Sequence, residues 1–326
     1  MKSFLKKALP WFVCVLLFVY LFYQVPPSEL WQATQLADFS WLIFYSLLYF
    51  FLNLIMDVAA VQHFLSRFAS PITLKESTLV RGVSYLIMVI NYHAAQGAFA
   101  IYFKKTHNAP LSKTLGSLAF ISVIDLVLVL TSGMVAAYFS GPNDLPPPLR
   151  HTLISFIPVL YIGLLLWILF WKNTTRSWLD KIRKFKAIDW VLNHDVFFIF
   201  REAKPKDYLI AFLYRIPLII LVIGGYNWAV MSFHGFINWV DIFLFNPLIM
   251  LVSTLPITPA GLGTGQVLIL EFFKTRLHSP LIEAGTIDAE TLLLASSLLW
   301  ILFNQIIKAL FGALCLSRTS RELFEE

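Results

Sequence analysis

Two ionisable residues stand where a membrane segment should be most apolar. Asp125 falls near the middle of the apolar run 115–139, and Arg215 lies roughly two turns into the run 208–233. An ionised carboxylate at the centre of a membrane helix costs about 2.5–3.5 kcal/mol on insertion scales, so it faces the protein interior, paired or protonated. Asp125 therefore reads either as a contact to a polar headgroup or carrier of a proton, or as half of an internal ion pair. Arg215 is its leading partner and His93 a second. Arg215 presents a planar fork that grips a phosphate or carboxylate bidentately; the alternative is snorkelling to the interface. For Asp57, Arg81 and Lys308, nearer the ends of their apolar runs, snorkelling is the simpler expectation. A further group carries polarity without fixed charge: Asn91, His93, Gln96, Gln266, Asn304 and Gln305. Such residues line a cavity if they converge, and otherwise bridge helices.

The element that must position this chemistry is residues 246–266. It is apolar, yet Pro256, Pro259, Gly261, Gly263 and Gly265 fall within ten residues of one another. Helices break at that density of Pro and Gly, and broken backbone at membrane depth is tolerated only under protein or beside a watery cavity. The stretch reads as two half-helices meeting at a turn inside the membrane, with a kinked helix packed on small residues as the alternative. Helix N-termini at such a turn aim N–H groups and the positive dipole end at a ligand. Pro259, Gly261 and Gly263 thereby become candidate contacts to a phosphate.

Composition sets the class. The chain has 326 residues, 58% hydrophobic and 13% charged, with mean hydropathy +0.73. A soluble domain is about 25% charged, so this is an integral membrane protein with little room for a soluble catalytic domain. The net charge of +6 comes from basic residues near the ends of apolar runs. They speak to topology and anionic headgroups, and nothing resembles a nucleic-acid surface. Cys14 and Cys315 both fall in expected spans, which argues against a disulfide framework or a metal cluster. No Gly-x-x-x-x-Gly-Lys-Ser/Thr stretch is present, and no cofactor is expected. Trp41, Trp171 and Trp239 fit interfacial belts.

The expected fold is an all-α integral membrane protein forming one transmembrane domain over 1–326. Six spans are expected at about 8–23, 39–61, 115–139, 153–171, 208–233 and 291–316. The first is read as an uncleaved span, since no small-x-small site follows it. Two stretches read instead as re-entrant hairpins: 77–103, whose apolar part is too short to cross and has basic residues at both ends, and 246–273. The first half is 8–139 and the second 208–316. Between them, 172–207 carries nine Lys or Arg against five acids and reads as a basic amphipathic linker on the cytoplasmic leaflet. Loop charges place both termini in the cytoplasm. The two hairpins then enter from opposite sides, giving an inverted repeat of eight membrane segments, the layout of alternating-access carriers.

Thr258-Pro-Ala-Gly-Leu-Gly-Thr-Gly-Gln266 resembles the Pro-Gly-Gly-(hydrophobic)-Gly-x-x-Glu signature of the flippase-like family, the transmembrane region of lysylphosphatidylglycerol synthase and its stand-alone bacterial relatives. Asn91–Gly97 sits where that family has Pro-x-Arg-x-Gly-Glu, and Ser122-Val-Ile-Asp125-Leu where it has Arg-x-x-Asp-(hydrophobic). Several family charges are neutral here: Ala95, Ala98, Ser122, Gln266 and the Phe303-Asn304-Gln305 stretch stand in their places. The resemblance covers about 8–316 and implies translocation of a lipid without its synthesis, since the chain ends soon after its last span. The expected activity is thus a lipid translocase rather than an enzyme, in the cell inner membrane of a bacterium. Its partner would be a membrane lipid, either a phospholipid or a polyprenyl-phosphate-linked glycolipid, and a homo-oligomer stays open. The alternatives are a membrane-embedded lipid-modifying transferase and an inverted-repeat carrier for a small solute. The candidate substrate contacts are Asn91, His93, Gln96, Asp125, Arg215, Pro259, Gly261, Gly263, Gln266 and Asn304.

Overall fold

A computed structural model describes residues 2–88, 92–141, 145, 147–172, 194–254, 258 and 262–324, without the side chains of 2–11, 92–93, 149, 254 and 319–324. The first helix, α1 (Lys2–Gln24), is followed by α2 (Pro27–Gln35). The two are bent by 74°, because Pro26 and Pro27 exclude the α conformation upstream while Pro27 opens a new helix. The loop expected at 24–38 is therefore largely helical. Asp38 then caps α3 (Phe39–Phe68), accepting from the N–H groups of Ser40 and Trp41 at 3.0 and 3.2 Å. This helix runs on well past residue 61, so Asp57 lies about three turns inside it rather than near an end.

The first expected hairpin region holds α4 (Leu74–Met88) and α5 (Tyr92–His107), which pack on one another. The break between them falls at 89–91, outside the described residues. Two long helices follow, α6 (Leu111–Phe139) and α7 (Pro147–Lys172). None of the most apolar window of α7 is buried, which makes it a peripheral helix. The amphipathic helix expected within 172–207 falls mainly on 173–193, also outside the described residues. The rest of that linker is folded. A 3-10 turn (Asp195–Phe197) and α8 (Phe198–Glu202) bring Phe197 and Phe200 onto Trp171. Trp171 is fully buried there and is no belt residue, whereas Trp41 and Trp239 are about half exposed.

In the second half, α9 (Pro205–Met231) carries Asp207 in its first turn, whose buried carboxylate takes Arg67 at 2.9 Å and the Lys204 N–H at 2.8 Å. A two-residue strand, β1 (Phe236–Ile237), pairs antiparallel with β2 (Leu277–His278). Asn227, fully buried on α9, donates to the Ile237 carbonyl and accepts its N–H at 2.9 and 3.1 Å. Between the strands lie α10 (Trp239–Thr254), which continues through Pro247, and α11 (Thr264–Phe273). The short α12 (Pro280–Glu283) leads to α13 (Ala289–Phe324).

Among the described residues five helices are long and apolar enough to cross a membrane, and α1 with α2 makes a sixth if the bent pair is one span. The all-α membrane class is thus observed, with each long helix reaching beyond its expected span at one end or both, although α9 stops at Met231, short of the expected 233. Helices α3, α6 and α9 pack together at the centre, and α13 crosses α4 closely. That crossing depends on glycine. A Cβ on Gly82 would collide with the Cys315 sulfur, and one on Gly312 would stand 2.8 Å from the Gly82 carbonyl oxygen. Small residues at a helix crossing admit this backbone approach. Cys14 and Cys315 are both buried, and they form no disulfide among the described residues.

Candidate functional site

Five helices each contribute one side chain to a continuous polar chain across the bundle. From α5, the Gln96 amide oxygen accepts from the Arg81 guanidinium of α4 at 3.3 Å. Arg81 Nε donates to Asp57 Oδ2 of α3 at 2.5 Å. The other Asp57 oxygen accepts from Arg215 Nη1 of α9 at 2.8 Å. Arg215 Nε and Nη2 then grip both oxygens of Asp125 on α6, each at 2.6 Å. Two guanidiniums face two carboxylates, so the chain is electrically balanced. Balance matters here because an unpaired charge out of water is far more costly than a paired one.

Exposure is uneven along it. The side chains of Arg215, Arg81 and Asp57 are 5%, 6% and 7% exposed, and that of Asp125 is 23%. Asp125 is the accessible end. One and two turns further along α6, on the same face, Leu128 and Ser132 line a groove of about 590 Å³. Its opposite wall is Ile216 and Ile219 of α9, with Trp239 and Phe243 of α10 closing it. Thr131 and Tyr161, hydroxyl to hydroxyl at 3.0 Å, stand in its lining. The groove is almost wholly apolar and begins within about one helical turn of the Arg215–Asp125 pair.

The sequence-derived candidates divide. Gln96, Asp125 and Arg215 share this chain. Gln266 does other work: its side-chain oxygen accepts the Gly263 N–H at 2.7 Å, capping α11. Gly263 has φ +84° and sits against Leu17 of α1, a conformation that only glycine adopts readily. The broken backbone there is real, but that N–H already serves its own helix. Asn304 donates to the Trp300 carbonyl at 2.8 Å, while its buried oxygen and that of Gln305 have no hydrogen-bond partner among the described residues. Asn91, Pro259, Gly261 and the His93 side chain lie outside the described residues.

Snorkelling fails for Asp57, Arg81 and Arg215. All three are buried in the ion chain, because α3, α4 and α9 each extend beyond the point where a polar tip reaches water. Asp57 and Arg81 were the pair missed by sequence reasoning. The available signal was a carboxylate and a guanidinium inside apolar helices, with nothing in the order of residues to match one to the other. Lys308 is half-buried on α13 within electrostatic reach of Arg81, and forms no ion pair among the described residues. The described residues hold no cluster of metal-ligating side chains.

A polytopic helical bundle with a balanced ionic core, opening beside an apolar groove on its flank, defines a multi-pass membrane protein. Residues 8–275 match the family model described as Lysylphosphatidylglycerol synthase TM region. The chain belongs to that family, a membrane domain linked to lipid headgroup handling. No curated protein matches it.

Proposed function

We propose that the protein moves a lipid with a polar or anionic headgroup between the leaflets of the membrane. The observation that carries this reading is the accessible Asp125 end of the ion chain beside the flank groove. A headgroup needs a polar station, and acyl chains need an apolar path that stays open to the bilayer; the two adjoin here. In this scheme a lipid phosphate competes with Asp125 for the bidentate fork of Arg215. Asp57, held in turn by Arg81, keeps Arg215 in place while Asp125 is displaced. Protonation of Asp125 has the same effect, so the exchange couples to protons without a nucleotide.

Two units support the layout of a carrier. Helices α3 to α6 and α9 to α13 each contain two long helices flanking a pair of shorter ones, α4 with α5 and α10 with α11. In the proposal these pairs dip from opposite sides and rock around the ion chain, with both termini in the cytoplasm as the loop charges imply.

The test is reconstitution in vesicles with labelled phosphatidylglycerol, reading leaflet exposure and, by mass spectrometry, chemical change. Movement of intact lipid supports a translocase. Altered lipid without movement favours a membrane transferase, and the absence of both movement and alteration sinks both readings. Asp125→Asn should slow movement at least ~10-fold, the scale of a lost charge-assisted contact.

A further inference from the structure

A second recess lies at the end of the bundle that carries the basic loops. It is a pocket of about 420 Å³ between α4 and α13, lined by Lys75, Thr78, Leu79, Phe311, Leu314 and Arg318. Two cations stand at its mouth, and no carboxylate lines it among the described residues. Glu76, next to Lys75 in sequence, is engaged elsewhere: it accepts from the Thr73 hydroxyl and N–H at 2.6 and 2.8 Å, and lies 3.6 Å from His107. Among the described residues neither Lys75 nor Arg318 forms an ion pair. The pocket thus pairs a mouth whose two cations meet no carboxylate among the described residues with an apolar wall of Leu79, Phe311 and Leu314, the last 65% exposed.

We infer that this recess binds the phosphate of an anionic phospholipid, with an acyl chain laid along the Phe311–Leu314 wall. A phosphodiester carries one negative charge and acceptor oxygens, which two donor cations match. A free inorganic phosphate shares the charge but gains nothing from the apolar wall, and that difference selects the lipid.

The location gives the site a role. On α13, Asn304, Lys308, Phe311, Cys315 and Arg318 recur at helical spacing and so share one face. Lys308 is the next cation inward, about 15 Å along the helix from Arg318 at 1.5 Å per residue. Beyond it stands Arg81, the inner end of the ion chain. The pocket is the outermost of a file of cations leading to the core, a loading station for the headgroup. This inference rests on the lipid-handling reading above.

The experiment is native mass spectrometry of the purified protein in neutral detergent, offered phosphatidylglycerol and phosphatidylcholine together. The wild type should retain phosphatidylglycerol preferentially. Lys75→Gln with Arg318→Gln should reduce that preference roughly 30-fold, equivalent to about 2 kcal/mol at 1.4 kcal/mol per factor of ten, the sum for two cations near a membrane surface. Lys104→Gln with Lys105→Gln removes the same charge from exposed positions outside the pocket and should leave the preference unchanged. Leu314→Trp, which fills the recess and keeps every charge, should also lose the lipid. Equal retention in the Lys75/Arg318 variant, or equal loss in the Lys104/Lys105 variant, overturns the site. Thermal stabilisation by inorganic phosphate with no lipid retained overturns the lipid assignment. Retention is read without translocation, so a protein that keeps this lipid but moves none refutes the translocase reading alone.

Discussion

The sharpest consequence of the ion chain concerns Arg215. Replacing it by Leu removes the fork that holds both oxygens of Asp125 and one oxygen of Asp57. Asp57 keeps Arg81, but Asp125 loses its guanidinium partner and the cluster acquires one excess negative charge. Removing one partner of a buried ion pair costs about 3–5 kcal/mol, and with three hydrogen bonds lost the upper half of that range is expected. Asp125→Leu alone is milder, because Arg215 retains Asp57 and Asp125 is the more exposed group. The double variant restores charge balance and leaves the Asp57–Arg81 pair intact. It should therefore be less damaged than the two single losses added together, with a coupling of about 1–3 kcal/mol. Unfolding by denaturant titration in mixed micelles, run on all four proteins, measures this. Additive losses, or Arg215→Leu no worse than Asp125→Leu, would refute the claim that one guanidinium carries the junction between α3, α6 and α9.

Three further outcomes follow from local geometry. Gly263→Ala places a side chain at φ +84° with its Cβ 3.0 Å from Leu17 Cβ; left-handed backbone alone costs about 1–2 kcal/mol, so lower stability and faster proteolysis of α1 are expected. Gly82→Ala drives a methyl into Cys315 and should cost about 1–3 kcal/mol as overpacking, with partial recovery in Gly82→Ala/Cys315→Gly as the check. The Glu76 carboxyl is held below its ordinary value of 4.5 by hydrogen bonds from the Thr73 hydroxyl and N–H, with His107 adding to the effect. Its contribution to stability is complete above that value and is lost as pH falls through the lowered one, so Glu76→Gln should lower the melting temperature at neutral pH, flatten the acid side of the profile and converge with the wild type in acid.

Much of the architecture was legible from residue order. Long apolar runs dictate helices in a bilayer, since every backbone group must be paired within its own segment, and five such helices are present among the described residues. The Asp125–Arg215 pairing was also readable, because two opposite charges that cannot face lipid must face each other or a shared partner. The Gly-rich break before α11 followed from composition, and Gly263 holds it in a left-handed turn. Helix ends were less legible: α3 and α13 run past their apolar windows, because packing carries a helix beyond the point where hydropathy fades.

Composition and local spacing settled the membrane class, the helices and the pair of charges that had to be hidden. The tertiary structure alone decided that Asp57 and Arg81 close the ion chain, that Gln266 caps its own helix, and that Asp125 ends beside an apolar groove. The reason is physical. A helix's own sequence specifies which residues share a face, but the partner that covers that face comes from segments distant in the chain, as the 158-residue separation of Asp57 and Arg215 illustrates.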